Sequence, residues 1–313
     1  MNERNAYRKI YITINSNCNN NCINCLLPKD FKSSGDILSP SKLESILTKI
    51  PIQKYDIIEI SGGEPTLHPS LIDILYILKS RSHGKIVLLT NAENLVDYKF
   101  AKTICEFVDD FVVTLYTSNE KMHDFITQTP GSFKKKWVGL SNLSKLGAKI
   151  HIKTLLMQQT FKTFPDLIKF ANSHFTNFHF NINSLHMVNN AWDNRAVIGV
   201  RFSEAKPYIE EALDYAEENN IIASAFVPMC VIDPYYWHYF PVGFGEIIKR
   251  SISITPNGKV GKAEMLLREF INKPAKCQRC ILKNRCYWPW EGYVNYYGEG
   301  ELSPIIKNEG GDI

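Results

Sequence analysis

KIYITI (Lys9–Ile14) runs straight into NSNCNNNCINC (Asn15–Cys25), which sets a short β-branched strand against a loop carrying Cys18, Cys22 and Cys25. Six residues of that composition read as a strand. The loop places almost nothing apolar between its thiols, so they are not core residues, and an odd number does not pair into disulfides. A metal centre that keeps one position open accounts for both features.

Reading outward, the same unit recurs. SPSKLESILTKI is a helix, with Ser39 as its cap, Pro40 in the first turn, and Ser41 and Glu44 at capping-box spacing. Strands follow at 56–63, 85–91, 111–116, 149–157 and 177–184. Helical patterns separate them, at Pro69–Ser80, near Tyr98–Val108, through SFKKKWVGLSNLSKLG and through FPDLIKFANSHF. Six strands alternating with helices predict a parallel sheet with helical crossovers. The strands alternate less than exposed antiparallel ones do, as expected when both faces are covered. Such a run fits either a doubly wound sheet or an incomplete barrel. The cysteine loop after the first strand and SGGEP after the second both fall at strand C-terminal ends, where barrels keep their chemistry. The expected fold class is therefore α/β, a partial (β/α)6 TIM-like barrel.

After about residue 200 the rhythm changes. SEAKPYIEEALDYAEENN predicts a helix capped by Ser203, and SISITPNGKVG a hairpin turning at Asn257-Gly258. The tail, CQRCILKNRCYWPWEGYVNYYGEGELSPI, concentrates cysteines and aromatics. The expected division is a barrel over residues 1–200 and a small cysteine-rich module over 201–313.

The 313 residues carry 36 basic and 32 acidic side chains, a net charge of +4. That balance makes nucleic acid an unlikely partner. No long apolar run predicts a membrane span, and MNERNAYRKI lacks the apolar core of a signal peptide. The expected location is cytoplasmic, where thiols stay reduced and clustered cysteines read as metal or catalytic groups.

Cys18-x3-Cys22-x2-Cys25 resembles the cluster loop of the radical S-adenosylmethionine (SAM) superfamily, and Gly62-Gly63-Glu64-Pro65 resembles that family's GGEP motif. The resemblance implies a [4Fe-4S] cluster on the three thiolates, with SAM on the unligated iron and its amino group near GGEP. It implies reductive cleavage of SAM to a 5′-deoxyadenosyl radical that abstracts a substrate hydrogen, with flavodoxin or ferredoxin as electron donor. A zinc knuckle is the bland alternative, and its fourth ligand would have to come from as far away as His68. The family often has an aromatic residue before the third cysteine; this chain has Asn24. By strand position, Asn91, Thr114, Tyr116 and Lys153 are candidate SAM contacts, Lys153 either pairing with the SAM carboxylate or simply solvated.

Of the remaining five cysteines, Cys277-x2-Cys280-x5-Cys286 resembles the twitch and SPASM-type extensions of the same superfamily, which hold an auxiliary [4Fe-4S] cluster. Cys230 is the expected fourth ligand. Zinc on the same quartet, or Cys230 as a hydrogen-atom donor with Asp233 completing the cluster, are the alternatives. Cys105 reads as a buried core thiol. Tyr287, Trp288 and Trp290 are expected to shield the auxiliary site.

For substrate, the stretch HDFITQTPGSFKKKWVGLSNLSKLGAKIHIKTLL resembles the barrel of peptide-modifying members. The leading expectation is maturation of a ribosomally made peptide by crosslinking, oxidation or epimerisation. Only about ten residues precede the first strand, so a separate leader-binding protein is an expected partner. The alternative is radical dehydrogenation or rearrangement of a small molecule such as an amino sugar or nucleoside. A non-catalytic iron–sulfur or zinc protein is the reading from another class.

Overall fold

The computed structural model describes residues 7–241, 244–263, 274–287 and 289–306. One nine-stranded sheet organises them: β1 Lys9–Thr13, β2 Ile57–Ser61, β3 Lys85–Thr90, β4 Asp110–Thr114, β5 Lys149–Leu155, β6 Phe178–Asn183, β7 Ile222–Phe226, β8 Ile252–Ile254 and β9 Val260–Lys262. Their spatial order is β7-β6-β5-β4-β3-β2-β1-β8-β9. All pairings are parallel except β8 with β9. Between the strands run α1 Lys29–Ser33, α2 Pro40–Leu47, α3 Leu71–Arg81, α4 Tyr98–Cys105, α5 Glu120–Thr127, α6 Ser132–Lys145, α7 Phe164–His174, α8 Asn190–Asp193, α9 Arg195–Ile198 and α10 Phe202–Glu218. Then come α11 Phe244–Lys249 and α12 Glu291–Tyr297.

The six expected strands are all present, and the parallel α/β class holds. Two strands go beyond the expectation. β7 adds to β6, and β8 of the anticipated hairpin pairs in parallel with β1, Ile10 opposite Ile252 and Ile12 opposite Ile254. The sheet therefore continues well past residue 200.

The strands also alternate more strictly than both-face burial requires. In β1, β2 and β5, every second residue is buried and the others are partly accessible. Ile10, Ile12, Ile58, Ile60, Ile150 and Ile152 have at most 1% exposure. Register stacks these isoleucines into one apolar face, and truncating one to alanine would cost about 2–5 kcal/mol. The opposite face carries Tyr11, Glu59 and Lys153, with Lys9 and Glu59 in an ion pair. That polar inner face departs from the doubly covered expectation.

Local signals behave as their chemistry predicts in one helix and not in another. Ser39 Oγ accepts from Lys42 N at 3.2 Å and caps α2. Ser203 does not cap α10: the N-cap is Arg201, and Ser203 instead donates through Oγ and N to Glu301. The 255–259 turn has Gly258 at φ +83, a left-handed backbone that glycine adopts without a β-carbon penalty.

Candidate active site

The cysteine loop has little regular structure, so its backbone groups need other partners. The chain supplies them. Asn21 N and Ile23 N donate to Thr127 O and Ile126 O at 3.0 and 2.9 Å. Asn20 Nδ2 and Asn19 Nδ2 donate to the carboxylate of Glu93 at 2.8 and 3.1 Å, and Ser132 Oγ donates to the same carboxylate at 2.6 Å. Asn91 Nδ2 donates to Asn19 Oδ1 at 2.7 Å. From the loop after β6, Asn190 Nδ2, Asn194 Nδ2 and Asn189 Nδ2 reach the carbonyls of Cys22, Ile23 and Leu26 at 3.3, 3.0 and 2.6 Å. The asparagine content that looked merely polar in sequence is a set of amide clamps.

The GGEP segment packs directly behind the loop. A β-carbon on Gly62 would lie 2.1 Å from Asn15 Oδ1, and one on Gly63 the same distance from Asn17 O. Gly63 N and Glu64 N donate to Asn15 O and Asn17 O at 2.9 and 2.7 Å. The two glycines are thus needed for loop to meet loop. Glu64 is 1% exposed. Its Oε1 accepts from Thr66 N, Thr66 Oγ1 and Thr90 Oγ1, and its Oε2 from Asn91 N at 2.6 Å. Burial raises its pKa against those hydrogen bonds. Oε2, with a single donor, is the oxygen left to meet a cation. Pro65 opens a one-turn 3-10 segment.

The thiols sit in a low-dielectric pocket. Burial pushes Cys18 up to about 12, and the nearby Glu64 and Cys22 act in the same direction. Burial also raises Cys22, opposed first by Lys136. Lys136 is a residue that the sequence reading missed. It is 1% exposed, its Nζ donates to Thr114 O at 2.8 Å, and it lies 5.6 Å from the centre of the Tyr116 ring. Burial lowers its pKa, and Cys22 leads the groups that oppose this. The signal was available: in α6, Ser132, Lys136, Leu140 and Leu143 form a buried stripe, while Lys134 and Lys135 face solvent. Glu93 was missed too. It follows Ala92, held at φ +64, and Gly139 lets α6 lie against that turn, since a β-carbon there would be 2.0 Å from Ala92 O.

The remaining candidates fall in two places. Asn91 joins the loop and Glu64, and Thr114 holds Lys136 through its carbonyl. Asn24, where the family often has an aromatic, is 4% exposed and accepts from Tyr116 Oη at 3.1 Å. Lys153 lies on the inner face of β5, opposite Thr114 and Asn181. Burial lowers its pKa, and Glu59 opposes this. Of the two lysines, Lys136 is the one electrostatically tied to the cysteine loop.

The second cysteine set converges. Cys230, Cys277, Cys280 and Cys286 line one hollow whose other walls include Met229, Leu282, Leu302 and prolines. None is in a disulfide. Burial pushes Cys286 up to about 12, with Cys230, Cys280 and Cys277 all adding to the shift. Burial likewise raises Cys230 and Cys277. Met229 N donates to Cys286 Sγ at 3.4 Å. Asp233 is engaged elsewhere, its N donating to Glu210 and its Oδ1 accepting from Tyr235 N. Cys105 ends α4, apart from both sets, its thiol pushed up to about 11 by burial. Trp288 lies outside the described residues. Trp290 packs tilted against His186, ring centres 3.7 Å apart, and Tyr287 meets Phe226 edge-on at 5.2 Å; neither ring is among the residues that line the hollow.

Among the described residues, no three His, Cys, Asp or Glu side chains are placed to hold a single metal ion. The N-terminal thiol set does fit a larger group. Its three cysteines are in no disulfide, and the same loop holds Asn15 Oδ1, Ser16 Oγ and Asn20 Oδ1, buried atoms with no hydrogen-bond partner among the described residues. Four-iron clusters are held by cysteine thiolates, commonly four. Three thiols in one loop suit a cluster that carries a further ligand.

The family model of the Radical SAM superfamily matches residues 12–171, just over half of the chain. In sequence, the chain is 35% identical over 83 residues to a probable GTP 3′,8-cyclase of Thermoplasma volcanium, covering 26% of this chain and 24% of that protein. It is 28% identical over 122 residues to the GTP 3′,8-cyclase of Chlorobaculum tepidum, covering 38% and 36%. The chain thus matches only about a quarter to a third of these relatives' length. In fold, it resembles Streptococcus suis SuiB bound to S-adenosylmethionine, with TM-score 0.68 and 15% identity, covering 97% of this chain and 77% of SuiB. It also resembles anSMEcpe with bound AdoMet and the Kp18Cys peptide, with TM-score 0.66 and 14% identity, covering 93% and 95%.

Proposed function

The chain belongs to the radical SAM superfamily, enzymes with a SAM-binding [4Fe-4S] cluster, and from that premise we propose that it modifies a ribosomally made peptide by hydrogen abstraction. The observation that carries this reading is the amide-clamped loop presenting Cys18, Cys22 and Cys25 at the end of β1, with GGEP packed behind it. The peptide class is supported by fold likeness to SuiB, solved with its precursor peptide SuiA, and to anSMEcpe, solved with peptides.

In this reading Cys18, Cys22 and Cys25 hold the first cluster, and Gly62, Gly63, Glu64 and Pro65 form the wall for SAM. When bound, cluster and SAM together supply a 5′-deoxyadenosyl radical after one-electron reduction by a flavodoxin or ferredoxin. The protein's part is position and charge. Glu64 Oε2 orients an ammonium, Lys136 supplies the buried positive charge beside Cys22, and Asn91 ties strand β3 to the loop. Tyr116 bonds Asn24, which stands at the position where the family often has an aromatic residue. Lys153 remains a candidate for the polar inner face, directed toward substrate or the SAM carboxylate. Cys230, Cys277, Cys280 and Cys286 hold an auxiliary cluster in a twitch-like module.

Two measurements test this. Anaerobic reconstitution should give roughly eight irons and eight sulfides per chain, with two four-iron clusters. Dithionite and SAM should then yield 5′-deoxyadenosine, with a mass change on a candidate precursor peptide. Four irons and one zinc would leave the first site and make the second structural. A second reading, chemistry on a nucleotide or nucleoside, is favoured by the partial matches to GTP 3′,8-cyclases. Turnover of a free nucleotide without any peptide would select it.

A further inference from the structure

Four neighbouring strands set a polar row inside the barrel. Register places Thr114 of β4 beside Lys153 of β5, Lys153 beside Asn181 of β6, and Asn181 beside Ser224 of β7. All four stay partly accessible, and each alternates with buried residues of its own strand. The next row toward the strand ends is Leu155, Asn183 and Phe226. Lys153 therefore lies one row, about 7 Å, beneath the end of its own strand. A partly accessible side chain at that depth is within reach of a ligand entering from the C-terminal side of the sheet, where the cysteine loop lies.

Lys153 is the one charge in that row, and it makes no hydrogen bond or ion pair among the described residues. Elsewhere on the inner face, Glu59 of β2 is engaged by Lys9, which forms an ion pair with it and lies 4.8 Å from the centre of the Tyr11 ring. Glu59 leads the charges that act on Lys153, yet it stays outside ion-pair contact. His186, held down to about 4 by burial and then by the charge of Lys153, brings no counter-charge. The cation beside Cys22 is already supplied by Lys136. The inner face thus holds one cation in excess. An ammonium set inside a protein without an anion is costly. One excess charge matches one carboxylate, whereas a triphosphate would bring several negative charges against it.

We propose that Lys153 is a specificity residue, its ammonium pairing with the side-chain carboxylate of an aspartate or glutamate in the peptide substrate. The inference rests on the peptide reading above, names a chemical feature of that peptide, and assigns Lys153 to substrate rather than to SAM. Asn181 and Ser224, along the same row, offer an amide and a hydroxyl to the polar atoms that flank the acidic residue. The bound carboxylate supplies the counter-charge that the chain itself withholds from Lys153.

The test uses the full chain, reconstituted anaerobically with iron and saturated with SAM, and two dodecapeptides identical except for a central glutamate or glutamine. Isothermal titration reads each affinity at about 50 mM and about 300 mM salt. The glutamate peptide should bind about tenfold tighter. Most of that advantage should survive high salt, because an interior pair is screened far less than a surface one. Lys153→Met should bind both peptides alike. Lys153→Arg should recover a preference of about threefold, a gain that misfolding cannot mimic. Equal affinities in the parent, no binding of the glutamate peptide, or a preference that persists in Lys153→Met overturns the inference. So does a loss of SAM affinity in Lys153→Met with the glutamate preference intact, which returns the lysine to SAM. Failure of the peptide reading looks different: the glutamate preference depends on Lys153, yet no precursor peptide changes mass and a free nucleotide turns over.

Discussion

The two cysteine sets are built on opposite principles. Cys18, Cys22 and Cys25 sit within eight residues, on a loop whose carbonyls and amides are tied to strand ends, to α5 and to the asparagines of 189–194. Of the second set, Cys277, Cys280 and Cys286 lie within ten residues, and Cys230 joins them from a distant part of the chain. They meet round an apolar hollow, in a region made mainly of 3-10 turns and loops. The first set is braced by the chain's own hydrogen bonds. The second is held by short turns, Cys277 N donating to Pro274 O, Cys280 N to Cys277 O and Cys286 N to Leu282 O; a metal held there, as proposed above, would add to local folding energy.

The largest expected effect separates the sets by chemistry. Cys22→Ala should abolish 5′-deoxyadenosine formation, because two thiolates do not retain an open cluster. The protein should still fold and keep about four irons in the second set. Cleavage at the wild-type rate would remove Cys22 from the site. Cys280→Ala should do the reverse: 5′-deoxyadenosine continues, peptide product disappears, and thermal unfolding moves several degrees lower. A melting curve unchanged by Cys280→Ala would remove the claim that metal staples the second region.

How much of this was readable beforehand follows from where the information lies. Cys18-x3-Cys22-x2-Cys25 and GGEP are local spacings, and strands such as Ile57–Ser61 are local patterns, so both were legible in the chain. The pairing of β8 with β1 joins residues about 240 apart, and nothing in SISI marks a parallel partner. Lys136 was hidden by its neighbours, because Lys134-Lys135-Lys136 reads as a solvated run until the helix phase is laid over it. Glu93 depends on three donors from two segments, Asn19 and Asn20 of the cysteine loop and Ser132 of α6, whose meeting is purely tertiary. The missed residues are those whose roles arise between elements.

Lys136→Met sharpens the comparison by placing charge against fold. A buried ammonium without a carboxylate contact is costly to the folded state, so its removal should leave stability unchanged or raise it. The cysteine loop should lose its nearest buried cation. SAM cleavage should fall on the order of tenfold, the size of one lost interaction of about 1.4 kcal/mol. The reduction potential of the first cluster should move more negative, measurable by redox titration. A parallel drop in melting temperature and rate would mean that Lys136 acts only as packing.

A final effect, on stability rather than chemistry, concerns His123, which has 0% exposure and both ring nitrogens without a hydrogen-bond partner among the described residues. Its ring packs between Tyr116 and Phe133, at 5.4 and 5.6 Å. Burial, followed by the charge of Lys136, holds its pKa down to about 2. The folded protein therefore keeps this imidazole neutral, while the unfolded chain protonates it near pH 6.5. Below that pH the unfolded state binds the extra proton, so stability falls with acidification by up to about 1.4 kcal/mol per pH unit. Between pH 7 and pH 5 this amounts to about 2 kcal/mol on the barrel side. His123→Phe keeps a ring in an aromatic niche and removes the proton, so its melting temperature should fall less between pH 7 and pH 5 than that of the parent. Equal acid sensitivity of both proteins would mean that His123 is solvated or protonated in the fold. The same substitution should not alter iron retention at the C-terminal set.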